Sequence, residues 1–492
     1  MHDWQQLIHT PLAHWAQQQP KSLAVDDGEQ ALSFAQLHAA VQQRVQAIHT
    51  AQAPSTLLLD ATLSPAALVA DFIATNTSGR CAALGDASWP ASQRAQVQQA
   101  IDTFNTKKAA SAHPAGASSY PFYIGFTSGS TGQPKGFRRD HHSWAESFRV
   151  CVNTFGSAVT GRILAPGHLS HSLFLFGAML GIWTGGGVQL QRRFSASQCL
   201  ATLRAGGTPC LVAVPSQLLV MLQLAERRQL AAIPDVRLIL ISGARWMRQH
   251  TPALQALFPN ARIVEFYGAS EASFIAWMDA SNATPPQVVG RAFSNVQLQI
   301  RDSAGQQLAA GEVGQIWVSS PMLFMDYVGQ ADATAAQRDG DWLSVRDMGS
   351  ISPDGLLTLV GREKRMIVTN GKNLFPEEVE AVLAEHPRII AASVHGVDDA
   401  LRGKQVWVAL QLNDANNSEA ALQPLADHAL IADLQQWCRS KLETYKTPRR
   451  WFIAAPWPQT ASGKTDHTAL AALLQTPHGD SSNAPTATAN AG

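Results

Sequence analysis

Charge is scarce in this chain and leans to neither sign. Only 15% of its 492 residues are Asp, Glu, Lys or Arg, and 37 acidic residues balance 37 basic ones. A neutral chain builds no long-range field toward nucleic acid or an anionic membrane surface. Cysteine is sparse too: Cys81, Cys151, Cys199, Cys210 and Cys438 are odd in number, scattered, and form no C-x-x-C pair. That pattern gives neither a disulfide framework nor a zinc site, and it suits a reducing compartment. The longest uncharged apolar stretch, 172–188, is short for a membrane span and ends in three glycines, so it predicts a buried helix. The opening Met-His-Asp-Trp-Gln-Gln has neither the basic nor the apolar region of a signal peptide. A cytoplasmic location is therefore expected, with no integral membrane segment and no nucleic-acid partner.

The length exceeds one ordinary core, so at least two domains are expected. Helical patterns cover 3–18 and 34–50, with a short apolar run at 56–59, while 107–119 is Ala/Ser/Gly/Pro-rich and predicts a loop. From 120 to 290, strand candidates at 122–126, 162–165, 210–214, 238–241 and 262–266 alternate with helical stretches, which predicts α/β layers with helices covering sheets. Strands dominate 296–360 (296–300, 314–318, 356–359) and predict a small β-rich subdomain. Beyond 361–364, a helix at 376–385, strands at 390–397 and 405–412, a helix at 427–442 and a strand at 450–454 predict a compact α+β unit. The Ser/Thr/Asn/Ala-rich 476–492 predicts a disordered tail. The expected class is α/β. A large N-terminal domain of layered sheets and helices spans 1–362, a small mobile α+β domain spans 363–475, and the tail follows.

The densest chemical signal is Phe126-Thr127-Ser128-Gly129-Ser130-Thr131-Gly132-Gln133-Pro134-Lys135-Gly136. Glycines let backbone N–H groups approach an anion, hydroxyls add donors, and a lysine adds charge. This is a polyphosphate cradle, but not a Walker A loop, because Pro134 and Gly136 stand where that pattern needs Gly and Ser or Thr. A second marker, Glu265-Phe266-Tyr267-Gly268-Ala269-Ser270-Glu271, follows a strand, an ordinary ligand position in an α/β sheet. Its tyrosine can stack on a base, and its carboxylate can hold Mg2+ beside a phosphate. A third, Arg346-Asp347-Met348-Gly349, precedes Gly361-Arg362-Glu363-Lys364-Arg365; a strand-end Asp can accept ribose hydroxyls. In a fourth, 370–380, Pro376-Glu377-Glu378 marks a helix start favoured by the macrodipole. In a fifth, Thr460-Ala461-Ser462-Gly463-Lys464-Thr465, one lysine sits in a glycine-adjacent loop.

In this order the five markers resemble the adenylate-forming superfamily: acyl- and aryl-CoA synthetases, adenylation domains and beetle luciferase. The resemblance covers roughly residues 10–470 and is nearest to the acyl-CoA synthetases. It implies that Thr127, Ser128, Gly129, Ser130, Thr131, Gly132 and Lys135 wrap the ATP phosphates. Tyr267, with Gly268 beside it, would stack on adenine, and Glu265 would stand where its amino group is read. Ser270, where the family usually has Thr, would touch the α-phosphate, and Glu271 would coordinate Mg2+. Asp347 would hold the ribose with Arg362 nearby, Lys364 would be a hinge, and Gly371 would lie near a thiol tunnel. Lys464 would bridge carboxylate and α-phosphate. The implied reaction makes an acyl-adenylate from a carboxylic acid and ATP, then passes the acyl group to CoA or to a phosphopantetheine carrier protein.

The substrate reading rests on an absence. The segment 165–176 contains no acid, so the α-ammonium of an amino acid would lack a partner there. A fatty or aryl acid is expected. His171 matches a family histidine at the mouth of the acyl pocket, or is a core-edge histidine. Ser242, Gly243, Ala244 and Trp246 are expected to border that pocket, with Trp246 able to shorten it. Phe174, Phe176 and Phe274 are core or pocket wall.

Overall fold

The computed structural model describes residues 5–107, 118–128, 134–285, 287–369, 371–399, 402–413, 422–459 and 465–475. The chain divides into two compact units, Met1–Val360 and Gly361–Gly492. The loop expected at 107–119 and the tail lie outside the described residues, save Lys107 and the loop's last two positions.

Two sheets organise the first unit. In the larger, Ile163–Ala165, Cys210–Ala213, Leu238–Ile241 and Arg262–Ala269 run parallel, and then the direction reverses at Ser273–Asp279. The smaller has the same plan. Thr56–Leu59, Cys81–Leu84 and Pro121–Ser128 are parallel, and Pro134–Asp140 returns antiparallel. Parallel strands buried on both faces read as continuous apolar runs, which is why Leu238–Ile241 is buried at every position. The strands of 296–360 do not form a sheet of their own. Val288–Ala292 pairs with both Ser273–Asp279 and Leu357–Arg362, so they extend the larger sheet.

Local signals set the helices. Ser33 and Gln36 form a capping box at the start of Phe34–Thr50, and Asp140 accepts from Ser143 N at 2.8 Å to start His141–Phe155. Such caps are worth about 1 kcal/mol each. The expected helix at 3–18 begins only at Pro11, whose missing N–H costs nothing in a first turn. The 172–188 stretch forms the helix Ser172–Thr184, buried from Phe174 to Trp183. It stops at Gly185 in the left-handed region. Trp15 Nε1 and Gln19 Nε2 then satisfy the carbonyls of Trp183 and Gly185. Among the described residues no helix is long and apolar enough to cross a membrane.

The second unit is a six-stranded sheet in which Gly403–Leu412 pairs with Ile389–Asp399, Arg450–Ala454 and, through Thr369, Ile367–Thr369. The helices Pro376–Ala384 and His428–Lys441 pack around a core of Val379, Leu383, Val408, Leu410, Leu434 and Trp451.

Candidate active site

Several motifs of the first unit follow strand carboxyl ends. Ile163–Ala165 leads to His171, Leu238–Ile241 to Ser242, Gly243 and Ala244, and Pro121–Ser128 to the glycine-rich segment. Arg262–Ala269 leads to Ser270 and Glu271. This edge is where open α/β sheets bind ligands.

The phosphate motif is a hairpin. Thr127 faces Lys135 and Phe126 faces Gly136 across paired strands, so Pro134, Lys135 and Gly136 belong to a strand rather than to the loop. Gly129, Ser130, Thr131 and Gly132 lie outside the described residues, as does the side chain of Ser128. Lys135 Nζ sits 3.2 Å above the ring centroid of Tyr327. The Tyr327 hydroxyl is 2.8 Å from Glu271 Oε1 and 3.2 Å from Gln337 Oε1. Burial and the Glu271 charge push the phenol pKa up, so it keeps its proton. One tyrosine thus holds both the lysine and the carboxylate. Sequence reasoning missed it, since Asp326–Tyr327 is a two-residue edge strand without a motif.

Tyr267 and Gly268 lie within the Arg262–Ala269 strand, which runs three residues further than expected. A bulge interrupts its pairing between Tyr267 and Gly268. A Cβ on Gly268 would stand 2.1 Å from Ser273 O, so only glycine fits. The Tyr267 hydroxyl donates to Asp347 Oδ2 at 2.5 Å. Asp347 follows Arg346, whose φ of 59° is left-handed, and the pairing of that strand is irregular at this point. Bulges of this kind re-aim side chains beside functional sites.

Arg139, also missed, fixes the Ser270–Glu271 turn from below. It is 1% exposed. It donates to Ser270 O (2.8 Å), Ser273 Oγ (2.7 Å), Met322 O (2.6 Å) and Ser143 Oγ (3.2 Å). Burial lowers its pKa to about 10, so it remains charged. Glu265 gives both carboxylate oxygens to Arg248, at 2.6 and 3.2 Å. Burial raises its pKa against that pull. Its carboxylate is therefore committed to an arginine that also binds three backbone carbonyls of 284–288.

In the second unit Arg362 ends a strand just past the unit boundary, and Lys364 lies in the single 3-10 turn Glu363–Arg365. Gly371 takes a left-handed φ of 71° in the turn between Ile367–Thr369 and Lys372–Leu374. Lys464 lies outside the described residues.

A sequence profile of AMP-binding enzymes matches residues 42–328, and one of the AMP-binding enzyme C-terminal domain matches 378–464. The chain belongs to the AMP-binding enzyme family. An uncharacterised acyl–CoA ligase, YhfT, of Bacillus subtilis is 37% identical over 70% of this chain and 67% of its own length. A putative long-chain fatty acid–CoA ligase, VraA, of Staphylococcus epidermidis is 32% identical over 57% of this chain and 58% of its own. Among solved structures, the o-succinylbenzoate CoA synthetase of B. subtilis with its acyl-adenylate intermediate aligns over 94% of this chain and 97% of its own, with a TM-score of 0.79 at 22% identity. An amide bond synthetase from Marinactinospora thermotolerans aligns over 95% and 99%, with a TM-score of 0.78 at 21% identity. At those identities the likeness is one of fold, a large N-terminal and a smaller C-terminal domain.

The residues expected to border the acyl pocket divide in two. Ser242 Oγ donates to Phe266 O at 2.9 Å, while Gly243 and Ala244 are exposed. Trp246 is a correction: it is 1% exposed in a core with Leu218, Leu254 and Phe258, and its Nε1 donates to Thr251 Oγ1. Packing fills the space around it, so it does not border an open pocket. Phe174, Phe176 and Phe274 are core as well. His171 precedes the buried helix, edge-on to Phe174. The acid missing from 165–176 is supplied from elsewhere: Asp86 Oδ2 accepts from Ser170 Oγ at 3.0 Å. Hydrogen bonds from Ser88 and Ser170 keep its pKa low against burial.

Among the described residues no three His, Cys, Asp or Glu groups gather to hold a metal. Glu271 offers one carboxylate, with one oxygen engaged by Tyr327. That donor set fits Mg2+ arriving with ATP, which keeps waters and takes one or two protein carboxylates.

Proposed function

We propose that this enzyme uses ATP to activate a fatty or aryl carboxylic acid and transfers the acyl group to the thiol of CoA. The observation that carries the reading is the pairing of two tyrosine-held carboxylates. Tyr327 joins Glu271 to Lys135 of the phosphate hairpin, and Tyr267 joins the base-stacking position to Asp347. One pair suits MgATP phosphates and the other suits ribose.

In the first step a carboxylate oxygen bonds to the α-phosphorus and the bond to pyrophosphate breaks. Both reactants are anionic, so charge repulsion dominates the barrier. Lys135 and the hydroxyl-rich turn would grip the departing pyrophosphate, Ser270 would touch the α-phosphate, and Lys464 would bridge the two anions. Mg2+ on Glu271 supplies charge neutralisation when bound. In the second step the thiolate attacks the acyl carbon and AMP leaves with the bonding pair. Lys364 would serve as hinge between the steps, Arg362 would support the ribose grip, and Gly371 would lie beside the thiol path. The segment 1–362 would then act as the nucleotide- and acyl-binding domain, 363–475 as the mobile domain, and the cytoplasm as the compartment.

Because Asp86 accepts from Ser170, the absence of an acid from 165–176 no longer excludes an amino acid by itself, and the preference for a plain acid rests on the acyl–CoA ligase relatives. The test is pyrophosphate release over a panel of fatty, aryl, dicarboxylic and amino acids, with and without CoA. Acid-dependent release with acyl-CoA formed is expected. Acyl transfer only to a phosphopantetheine carrier protein would replace CoA as the acceptor, and release with no acid present would sink the reading.

A further inference from the structure

The segment 85–89 of the first unit touches both sheets beside the candidate site. The buried strand Cys81–Leu84 of the smaller sheet runs into Gly85, Asp86, Ala87, Ser88 and Trp89, and the helix Ala91–Lys107 follows. Asp86 Oδ1 accepts from Ser88 N at 2.8 Å and from Ser88 Oγ at 2.6 Å. Trp89 N donates back to Asp86 O at 3.2 Å. Side chain and backbone of one aspartate thus close a tight turn. A Cβ on Gly85 would stand 2.8 Å from Trp89 Cζ3, so the indole is seated against the turn's first residue.

From this turn the two side chains part. Asp86 Oδ2 reaches the larger sheet, where it accepts from Ser170 Oγ at 3.0 Å, one residue before His171. Burial works against the charge, but the bonds from Ser88 and Ser170 hold the pKa low, so a carboxylate makes this contact. Trp89 reaches the phosphate hairpin instead. Its ring meets Phe126 edge-on, with centroids 5.1 Å apart and planes at 82°. Trp89, Phe126 and Val328 pack on one small core with Ala83, Ile101 and Ile124. Phe126 precedes Thr127 and faces Gly136 across the hairpin. Val328, next to Tyr327, donates its N–H to Gly136 O at 2.8 Å.

We propose that the turn at 85–89 is a strut that holds the 166–171 loop and the phosphate hairpin at a fixed spacing, with Asp86 as a positioning residue for both. This rests on the reading of the His171 loop as the acyl side of an acid-activating enzyme. Acid and polyphosphate are then gripped from separate sheets. A misplacement of about 1 Å between reacting groups costs up to roughly a hundredfold in rate. A bonded link across the sheets fixes that spacing without touching either ligand.

The test is steady-state pyrophosphate release by the full-length enzyme at saturating CoA, with the acid that the panel above turns over fastest. KM for the acid and KM for MgATP are read separately, with thermal midpoints alongside. Ser170→Ala should raise KM for the acid about tenfold and leave KM for MgATP unchanged. Trp89→Leu keeps an apolar side chain but loses the edge-on ring. It should raise KM for MgATP about three- to tenfold and leave KM for the acid unchanged. Asp86→Ala should raise both and lower kcat roughly ten- to hundredfold. Asp86→Asn should restore most of the loss, because its amide oxygen still accepts from Ser88 and its NH2 can donate to Ser170. If Asp86→Ala does not fold, the double variant Ser170→Ala/Trp89→Leu replaces it and should raise both values. A change in only one KM on loss of Asp86, the same KM moving in both single variants, or failure of Asn to rescue overturns the strut. If no acid supports release, the underlying reading fails and the strut with it. Acid-dependent release without the split in KM values overturns the strut alone.

Discussion

The two units hold their charges in opposite ways. In the first, two carboxylates at the candidate site are held by phenols, Glu271 by Tyr327 and Asp347 by Tyr267, while Glu265 goes to Arg248. The buried arginine nearest them, Arg139, spends itself on backbone carbonyls and serine hydroxyls. In the second, Arg365 takes two glutamates directly. A phenol leaves a carboxylate its full charge and an open oxygen for a cation, whereas a guanidinium neutralises it. Glu271 and Asp347 are thus poised for ligands, while Glu377 and Glu380 are structural.

Replacing the arginines is the strongest way to break that comparison. Arg139→Met leaves the Ser270 and Met322 carbonyls without their donor in a fully buried site. Each buried acceptor left unsatisfied costs about 1–3 kcal/mol. The denaturation midpoint of the N-terminal unit should fall accordingly, and nucleotide binding should be lost with the turn. Arg365→Met should cost a similar amount but act on the C-terminal unit. Nucleotide affinity of the N-terminal unit is the readout that separates them, and equal loss of affinity in both variants would contradict the division.

Tyr327→Phe tests the phenol half. It keeps the ring beneath Lys135 and removes only the hydroxyl. A hydrogen bond to a charged group contributes about 1.5–3 kcal/mol, so KM for MgATP should rise about tenfold or more while the fold survives. An unchanged KM would mean that Glu271 needs no orientation. Acid separates the units more gently. His9 is held down to about 4 by burial alone, while His467 also feels Arg365. A histidine whose folded pKa lies below its unfolded value stabilises fully above about pH 6.5. That contribution is lost progressively as pH falls toward the folded pKa. Thermal midpoints should therefore drop between pH 7 and 4 in both units. His9→Gln should flatten the drop for the first unit only, and His467→Gln for the second only.

Much of the frame was legible in the sequence, and little of this charge logic was. The strands Thr56–Leu59, Leu238–Ile241 and Arg450–Ala454 and the helix Phe34–Thr50 have the bounds that their apolar runs and helical pattern predict. The strands Ser273–Asp279 and Trp342–Ile351 were missed, because a bulge beside Gly268 and irregular pairing around Arg346 break the alternation a reader follows. The site partners were hidden for a simpler reason. Tyr327 reaches Glu271 across 56 residues, Arg139 reaches Ser270 across 131, and Asp86 reaches Ser170 across 84. No local pattern encodes such pairs; only the layering of two sheets brings them together. Trp246 failed the other way, since a motif neighbour need not share the motif's direction.

The smallest expected effect bears on how Asp347 is aimed. Arg346 holds a left-handed φ of 59°, a conformation that costs an ordinary residue about 1–2 kcal/mol. A hydrogen bond from its own N–H to Ser344 Oγ, at 3.3 Å, supports it locally. Arg346→Gly would remove the steric cost, but it would enlarge the unfolded ensemble by about 0.4–1 kcal/mol in free energy. The two partly offset, so the net change in stability should be favourable by about 0–1.6 kcal/mol. If the bend exists to aim Asp347, nucleotide affinity should be unchanged, because glycine keeps the bend. Arg346→Val makes the opposite prediction, since a β-branched residue resists positive φ. The strand should straighten, the Tyr267–Asp347 bond should break, and affinity should fall while the Tyr327–Glu271 pair stays intact. Equal affinity in Arg346→Val would show that the phenol alone holds Asp347 in place, which would make the first unit's reliance on tyrosine stricter still.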